Sequence, residues 1–250
     1  MIDKIFICHY SKLENRKKGM LRQKEKFNFC DVEWITEEVV KNYNIHEYYD
    51  SSWDFFNNRL KSGFGKDYNL SYKKLTQGEI EITLQHMHIY KRMVDENLSK
   101  CIIFEDDVVL KENYRENMAK CLHLLPKDFD IFYFGQGCFQ EHTWNENEAK
   151  EKYVDSPFTV FKKENRQSRY TDSYLMSQKA AQKLLETIVP FCFPIDWELN
   201  YQQFLHHMNI YWVYPTLTYQ GSAFGIYKSN IKKQKLRHLV QKILFPWHNM

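Results

Sequence analysis

The amino-acid sequence predicts an α/β fold: one domain built on a mostly parallel sheet flanked by helices. Three observations predict it. Short runs that are apolar almost throughout, "KIFIC" (4–8), "CIIF" (101–104) and "DIFYF" (130–134), have the pattern of strands buried on both faces. Segments of helical periodicity lie between such runs, and strands alternating with helices make a mostly parallel sheet. The chain has 250 residues, 43% of them apolar and 16% aromatic, which suits one substantial core and argues against disorder.

The elements follow in order. Lys4–Cys8 is the first strand. Ser11 and Glu14 have capping-box spacing, which opens a basic helix through about Phe27. "VEWIT" (32–36) alternates and makes a second strand. Residues 44–75, rich in Tyr, Asn, Ser and Gly, form a long connection with one short helix around Trp53–Leu60. Thr76 and Glu79 make another capping box, opening a helix to about Asn97. Ile80, Leu84, Met87, Lys91 and Val94 form its core stripe, with Glu79, Thr83, His86 and Tyr90 as a polar stripe beside it. A strand at 101–105, a helix from 111 to 125 and a strand at 130–134 come next. Residues 136–168 are polar and irregular, a loop or an inserted hairpin. "YTDSYLMS" (170–177) is a strand, and Ser177 caps a helix over 178–188. "PFCFPIDWELN" (190–200) turns through two prolines into a helix starting near Asp196, and "IYWVYP" (210–215) is the last strand.

Composition narrows the function. The net charge of +3 is weak support for any polyanionic partner, and no base-stacking module accompanies the lysines, so nucleic acid is not expected. Six scattered cysteines without a C-x-x-C pair read as a reduced compartment and no structural zinc. The opening Met1-Ile2-Asp3-Lys4 does not resemble a signal peptide, and no run reaches the ~20 apolar residues of a membrane span, so a cytoplasmic location is expected. After Gly225, Lys228, Lys232, Lys233, Lys235, Arg237 and Lys242 accompany Leu236, Leu239, Val240, Ile243 and Leu244 at helical spacing. The chain therefore divides into a domain over 1–226 and a basic amphipathic tail over 227–250. Such a tail suits peripheral contact with an anionic membrane face and suits packing on the domain equally well.

The sharpest local feature is "FEDDVV" (104–109), three carboxylates directly after a buried strand. Ligands gather beyond the carboxyl ends of strands in such sheets. Adjacent carboxylates repel, and burial raises the cost unless a dication such as Mn²⁺ or Mg²⁺ removes it. A solvated acidic turn explains the triplet equally well. Among metal-dependent readings, a receiver domain wants its phosphoacceptor at a strand end, whereas Asp130 begins its strand; an aspartyl phosphatase wants Asp-x-Asp, whereas Glu105 stands first here. A nucleotide-sugar transferase uses a short acidic motif of this kind.

Five ordered blocks give this chain its resemblance to glycosyltransferase family 25, the lipooligosaccharide- and collagen-type sugar transferases. They are "IFICHYSKLENRKKGM" with Arg16, "GEIEITLQH" with Gly78, Glu79 and His86, "IIFEDDVVL", "SYLMSQKAAQKLL", and "PIDWELN" followed by Gln220 and Ser222. His9-Tyr10 stands where the family usually has Asn-Leu, and Gln85 where it has Ser. The resemblance implies a GT-A-type fold, a nucleotide-sugar donor and inversion at the anomeric carbon, with Mn²⁺ or Mg²⁺ as cofactor. UDP-galactose is the implied donor, and a glycan such as lipooligosaccharide, carried on lipid at the inner membrane face, the acceptor. It implies Asp107 and Glu105 as metal ligands. Arg16, Glu79, His86, Glu105, Asp106, Gln220 and Ser222 are implied around the donor. Asp196 would be the catalytic base, with Glu198 in reserve. Asp196 also suits a helix cap, and Glu79 a capping box. A sugar- or nucleotide-binding module that keeps the fold without catalysis is the alternative.

Overall fold

The computed structural model describes residues 2–64, 70–135, 151–163 and 170–227. Towards one edge of its sheet lies a pair of parallel strands, β1 (Lys4–His9) and β3 (Lys100–Glu105). Their side chains alternate between two cores. Phe6, Cys8, Cys101 and Ile103 enter one, while Ile5, Ile7, Ile102 and Phe104 enter the other. Both faces are covered, which is why these strands read as unbroken apolar runs.

Six further strands extend the sheet. They are β2 (Val32–Thr36), β5 (Ile131–Tyr133), β6 (Lys152–Asp155), β7 (Phe158–Lys162), β8 (Ser173–Ser177) and β9 (Ile210–Tyr214). The order is β2-β1-β3-β8-β5-β9-β7-β6. Only β8 and β7 run against the other six strands, so the sheet is mixed with one dominant direction. Residues 152–162 form the inserted hairpin, and β7 joins the sheet through β9. A separate two-stranded ribbon pairs β4 (Val108–Leu110) with β10 (Thr218–Gln220).

Helix α5 (Gln77–Asp95) and α7 (Gln178–Thr187) cover one face, meeting through Ala180, Ala181 and Leu184. Helix α1 (Glu14–Lys26) and α6 (Tyr114–Leu124) cover the other through Met20, Tyr114 and Met118. The long connection carries α3 (Ile45–Tyr48) and α4 (Trp53–Lys61), the latter capped by Ser52, and a four-residue α2 (Glu37–Val40) precedes it. Helix α8 (Ile195–Leu205) packs with α4 in a satellite cluster of Phe56, Phe64, Phe193 and Tyr201.

Two local expectations are corrected. Ser11 does not cap α1: Leu13 is the N-cap, and Ser11 bonds to Glu37 through its backbone N–H and its hydroxyl. The stripe of α5 read as polar is buried as well, because Tyr174 of β8 receives His86 and Tyr90. No helix among the described residues is long and apolar enough to cross a membrane. The basic tail, apart from Tyr227, lies outside the described residues, as do 136–150 and 164–169.

Candidate active site

Glu105 ends β3 opposite Cys8 of β1, and Asp106 and Asp107 make the turn into β4. The three carboxylates line a cleft of about 510 Å³, a size suited to a small-molecule ligand. Arg16 of α1, the first turn of α5, and Gln220 and Ser222 beyond the ribbon complete its walls. Six residues singled out in the sequence thus converge: Arg16, Glu105, Asp106, Asp107, Gln220 and Ser222. The ribbon achieves part of this, since Gln220 pairs with Val108 and carries Ser222 back to Asp107.

The carboxylates differ in their partners. Asp106 is ion-paired: Arg16 Nη1 donates to Oδ1 at 2.7 Å, and His9 Nδ1 lies 2.8 Å from Oδ2. The Asp107 and Asp106 charges overcome the effect of burial on Arg16 and hold its guanidinium firmly charged. Asp107 is bonded to Ser222 and stands 3.9 Å from Arg16, yet its Oδ1 is buried without a hydrogen-bond partner. Burial raises the Asp107 pKa against the pull of Arg16. Glu105 accepts from Thr171 Oγ1 at 2.5 Å, but burial, then the Asp107 charge, pushes it up to about 8. Both causes favour the protonated form of Glu105.

This donor set fits a hard dication. Asp107 offers an orphaned buried oxygen, and Glu105 a carboxyl whose ionisation awaits a positive neighbour. Mg²⁺ and Mn²⁺ are commonly held by one or two carboxylates, with substrate phosphate and water supplying the rest. Among the described residues no group of three or more His, Cys, Asp or Glu side chains is placed to hold a metal ion. Asp106, committed to Arg16 and His9, is a brace for the arginine.

Helix α5 begins at this cleft with Gln77 and Gly78, so its positive end faces whatever occupies it. A Cβ built on Gly78 meets nothing within 4 Å and would protrude into the open cleft. Gly78→Ala is therefore expected to stabilise the helix by roughly 0.5–1 kcal/mol while weakening ligand binding. Thermal unfolding and a ligand titration on the same protein check both signs.

Two donor-site expectations fall just outside the cleft lining. Glu79 reciprocates the Thr76 cap, its Oε2 accepting from Thr76 N–H at 2.9 Å, and its Oε1 pairs with Lys73 at 2.5 Å. His86 lies behind the cleft, fully buried, with Nδ1 2.7 Å from the Tyr174 hydroxyl. Burial pushes its pKa down to about 3. Its Nε2 is 3.9 Å from Glu105 Oε1, but burial keeps the imidazole neutral, so this is no ion pair. The unfolded chain takes up this proton below its ordinary pKa of 6.5, and the folded chain only near 3. Stability present above pH 6.5 is thus lost as pH falls towards 3, on the order of 3–5 kcal/mol in total. Urea unfolding across this range should show a shallower pH dependence in His86→Gln; an unchanged slope would contradict the assignment.

The two base candidates, Asp196 and Glu198, both lie in the first turn of α8. Asp172 precedes β8, and its charge is felt by both Glu105 and Tyr133, the last residue of β5. Burial and then the Asp196 charge raise the Tyr133 hydroxyl, so Asp196 is within electrostatic reach of the end of β5. Glu198 has another partner. It is completely buried, with Arg59 Nη1 2.6 and 2.5 Å from its two oxygens, and Gln202 donates to Oε1 at 3.0 Å. Neither Asp196 nor Glu198 lines the cleft. Sequence reasoning passed over Thr171, which supports Glu105, and Tyr227, which packs against Arg16.

The family model described as "Glycosyltransferase family 25 (LPS biosynthesis protein)" matches residues 2–198. Mouse procollagen galactosyltransferase 2 is 26% identical over 186 residues, 73% of this chain and 27% of that protein. The mouse protein named inactive glycosyltransferase 25 family member 3 is 34% identical over 65 residues, 25% of this chain and 11% of its own. The chain spans about a quarter of the length of the first of these relatives. Among solved structures, apo mouse xyloside xylosyltransferase 1 aligns over 84% of this chain and 72% of its own. The TM-score is 0.35 at 11% identity, below the level from which a shared fold follows.

Proposed function

Because the chain belongs to glycosyltransferase family 25, we propose that it moves a sugar from a nucleotide-sugar to a glycan acceptor with inversion, on a GT-A-like scaffold. Galactose from UDP-galactose is the proposed donor sugar, since the relative named above is a galactosyltransferase. The observation that carries the reading is a cleft lined by the half-buried Glu105, the buried Asp107 and the guanidinium of Arg16, 3.9 Å from Asp107.

In this reading Asp107 and Glu105 hold Mn²⁺ or Mg²⁺, which would neutralise the leaving diphosphate. Arg16, braced by Asp106, and the N-terminus of α5 also receive its negative charge. Gln220 and Ser222 close the donor side. Asp196, outside the cleft lining in the first turn of α8, is the proposed base: its carboxylate would take the proton of the attacking acceptor hydroxyl, whose oxygen bonds to the anomeric carbon as the carbon–oxygen bond to the diphosphate breaks. Glu198, locked on Arg59, supports α8 instead of acting on substrate.

A screen of UDP-sugars with Mn²⁺ and a glycan acceptor, reading nucleoside diphosphate release, tests the proposal. Release with one donor supports it. The resemblance to a relative named inactive favours one other reading, a sugar- or nucleotide-binding module. Metal-independent glycan binding with no release from any donor would establish that reading and overturn catalysis.

A further inference from the structure

After β10 the chain folds back onto the acidic turn. Gly221 N–H donates to the Asp107 carbonyl at 2.7 Å, and the N–H groups of Ile226 and Tyr227 return to the Gly221 carbonyl at 2.9 and 3.3 Å. This turn seats the Tyr227 ring between two glycines distant in sequence. A Cβ on Gly221 would stand 2.7 Å from Tyr227 Cδ2 and 2.7 Å from the Asp107 carbonyl oxygen. A Cβ on Gly19 of α1 would collide with the Tyr227 hydroxyl. One helical turn before Gly19 stands Arg16, whose guanidinium carbon is 5.9 Å from the centre of the Tyr227 ring. That same guanidinium pairs with Asp106 and lines the cleft.

We propose that residues 221–227 form a strap over the donor site, and that Tyr227 is a positioning residue that holds Arg16 ready for a diphosphate group. The inference rests on the nucleotide-sugar reading above. A flexible arginine loses rotamer freedom when it grips an anion, and fixing it beforehand lowers that cost. Asp106 restrains one nitrogen of Arg16, and the ring of Tyr227 restrains the guanidinium through a cation–π contact. Only the ring is needed for this, so the hydroxyl is dispensable. Tyr227, which the sequence pattern assigns to the tail, belongs with the site.

UDP affinity with Mn²⁺, measured by calorimetry on the full chain, tests the strap. Tyr227→Ala should weaken binding about tenfold, and Tyr227→Phe should restore it. Gly19→Ala touches no part of the cleft, yet its added methyl displaces the ring and should weaken UDP binding as well. In an Arg16→Ala background, Tyr227→Ala should change affinity by less than about twofold, because the residue it positions is gone. A wild-type protein that binds no UDP would overturn the donor reading and the strap with it. Wild-type binding matched by Tyr227→Ala, or a loss that persists in full without Arg16, would overturn the strap alone.

Discussion

Asp107→Asn should abolish sugar transfer, by about 10³-fold or more, and leave the fold at least as stable as before. The two effects have one cause. The Asp107 carboxylate is buried, its Oδ1 has no hydrogen-bond partner, and its pKa is raised. A carboxyl raised in the folded state costs stability at every pH above its unfolded value, because folding disfavours the ionised form. Asparagine removes that cost and keeps an oxygen able to accept from Ser222. It also removes the charge that raises Glu105, whose pKa should fall from about 8. What asparagine cannot restore is an anionic ligand for the cation. Calorimetric Mn²⁺ binding, nucleotide release and thermal unfolding on one preparation check all three parts. Full activity in the variant would remove Asp107 from the metal site, and a large loss of stability would mean that its charge is compensated in the fold.

Arg59→Ala should produce the largest stability loss, about 3–5 kcal/mol in urea unfolding. Arg59 joins α4 to α8 inside the satellite cluster. It grips both oxygens of Glu198, donates to the Pro190 carbonyl at 2.7 Å, and lies 4.4 Å from the Tyr201 ring centre. Its removal strands a fully buried carboxylate with Gln202 alone, and an unpaired buried charge costs far more than the pair contributes. Replacing both partners, Arg59→Met with Glu198→Leu, should recover most of the loss because no stranded charge remains. The double variant also separates support from chemistry. If Glu198 only holds α8, activity survives in it; if Glu198 takes the acceptor proton, activity vanishes while stability recovers.

How far the sequence revealed this arrangement depends on the range of each interaction. The strands around Phe6, Ile103 and Phe132 were legible because burial on both faces writes itself into every residue of the run. The Thr76–Glu79 box was legible because both partners lie within one helical turn, and the structure makes both of its bonds. Ser11 and Glu14 have the same spacing, but Glu37 competes for Ser11 from 26 positions away, and spacing alone does not register a distant competitor. Glu198 shows the same limit. In "PIDWELN" it reads as a reactive carboxylate, until Arg59, 139 positions earlier, arrives from another helix. The ribbon of β4 and β10 is too short for a periodic signal, and its pairing joins residues 108–110 to 218–220. The acidic triplet, Arg16, Gln220 and Ser222 were picked out in the sequence and do share the cleft. That Asp106 braces Arg16, while Glu105 and Asp107 stay under-compensated, emerged only once His9 and Arg16 were placed around the turn.

The most direct measurement is a manganese anomalous difference map from crystals soaked with Mn²⁺ and UDP. The account predicts a peak about 2.1 Å from carboxylate oxygens of Asp107 and Glu105, with the diphosphate lying between that ion and Arg16. A map without that peak, or with manganese and nucleotide bound away from residues 105–107, would contradict it.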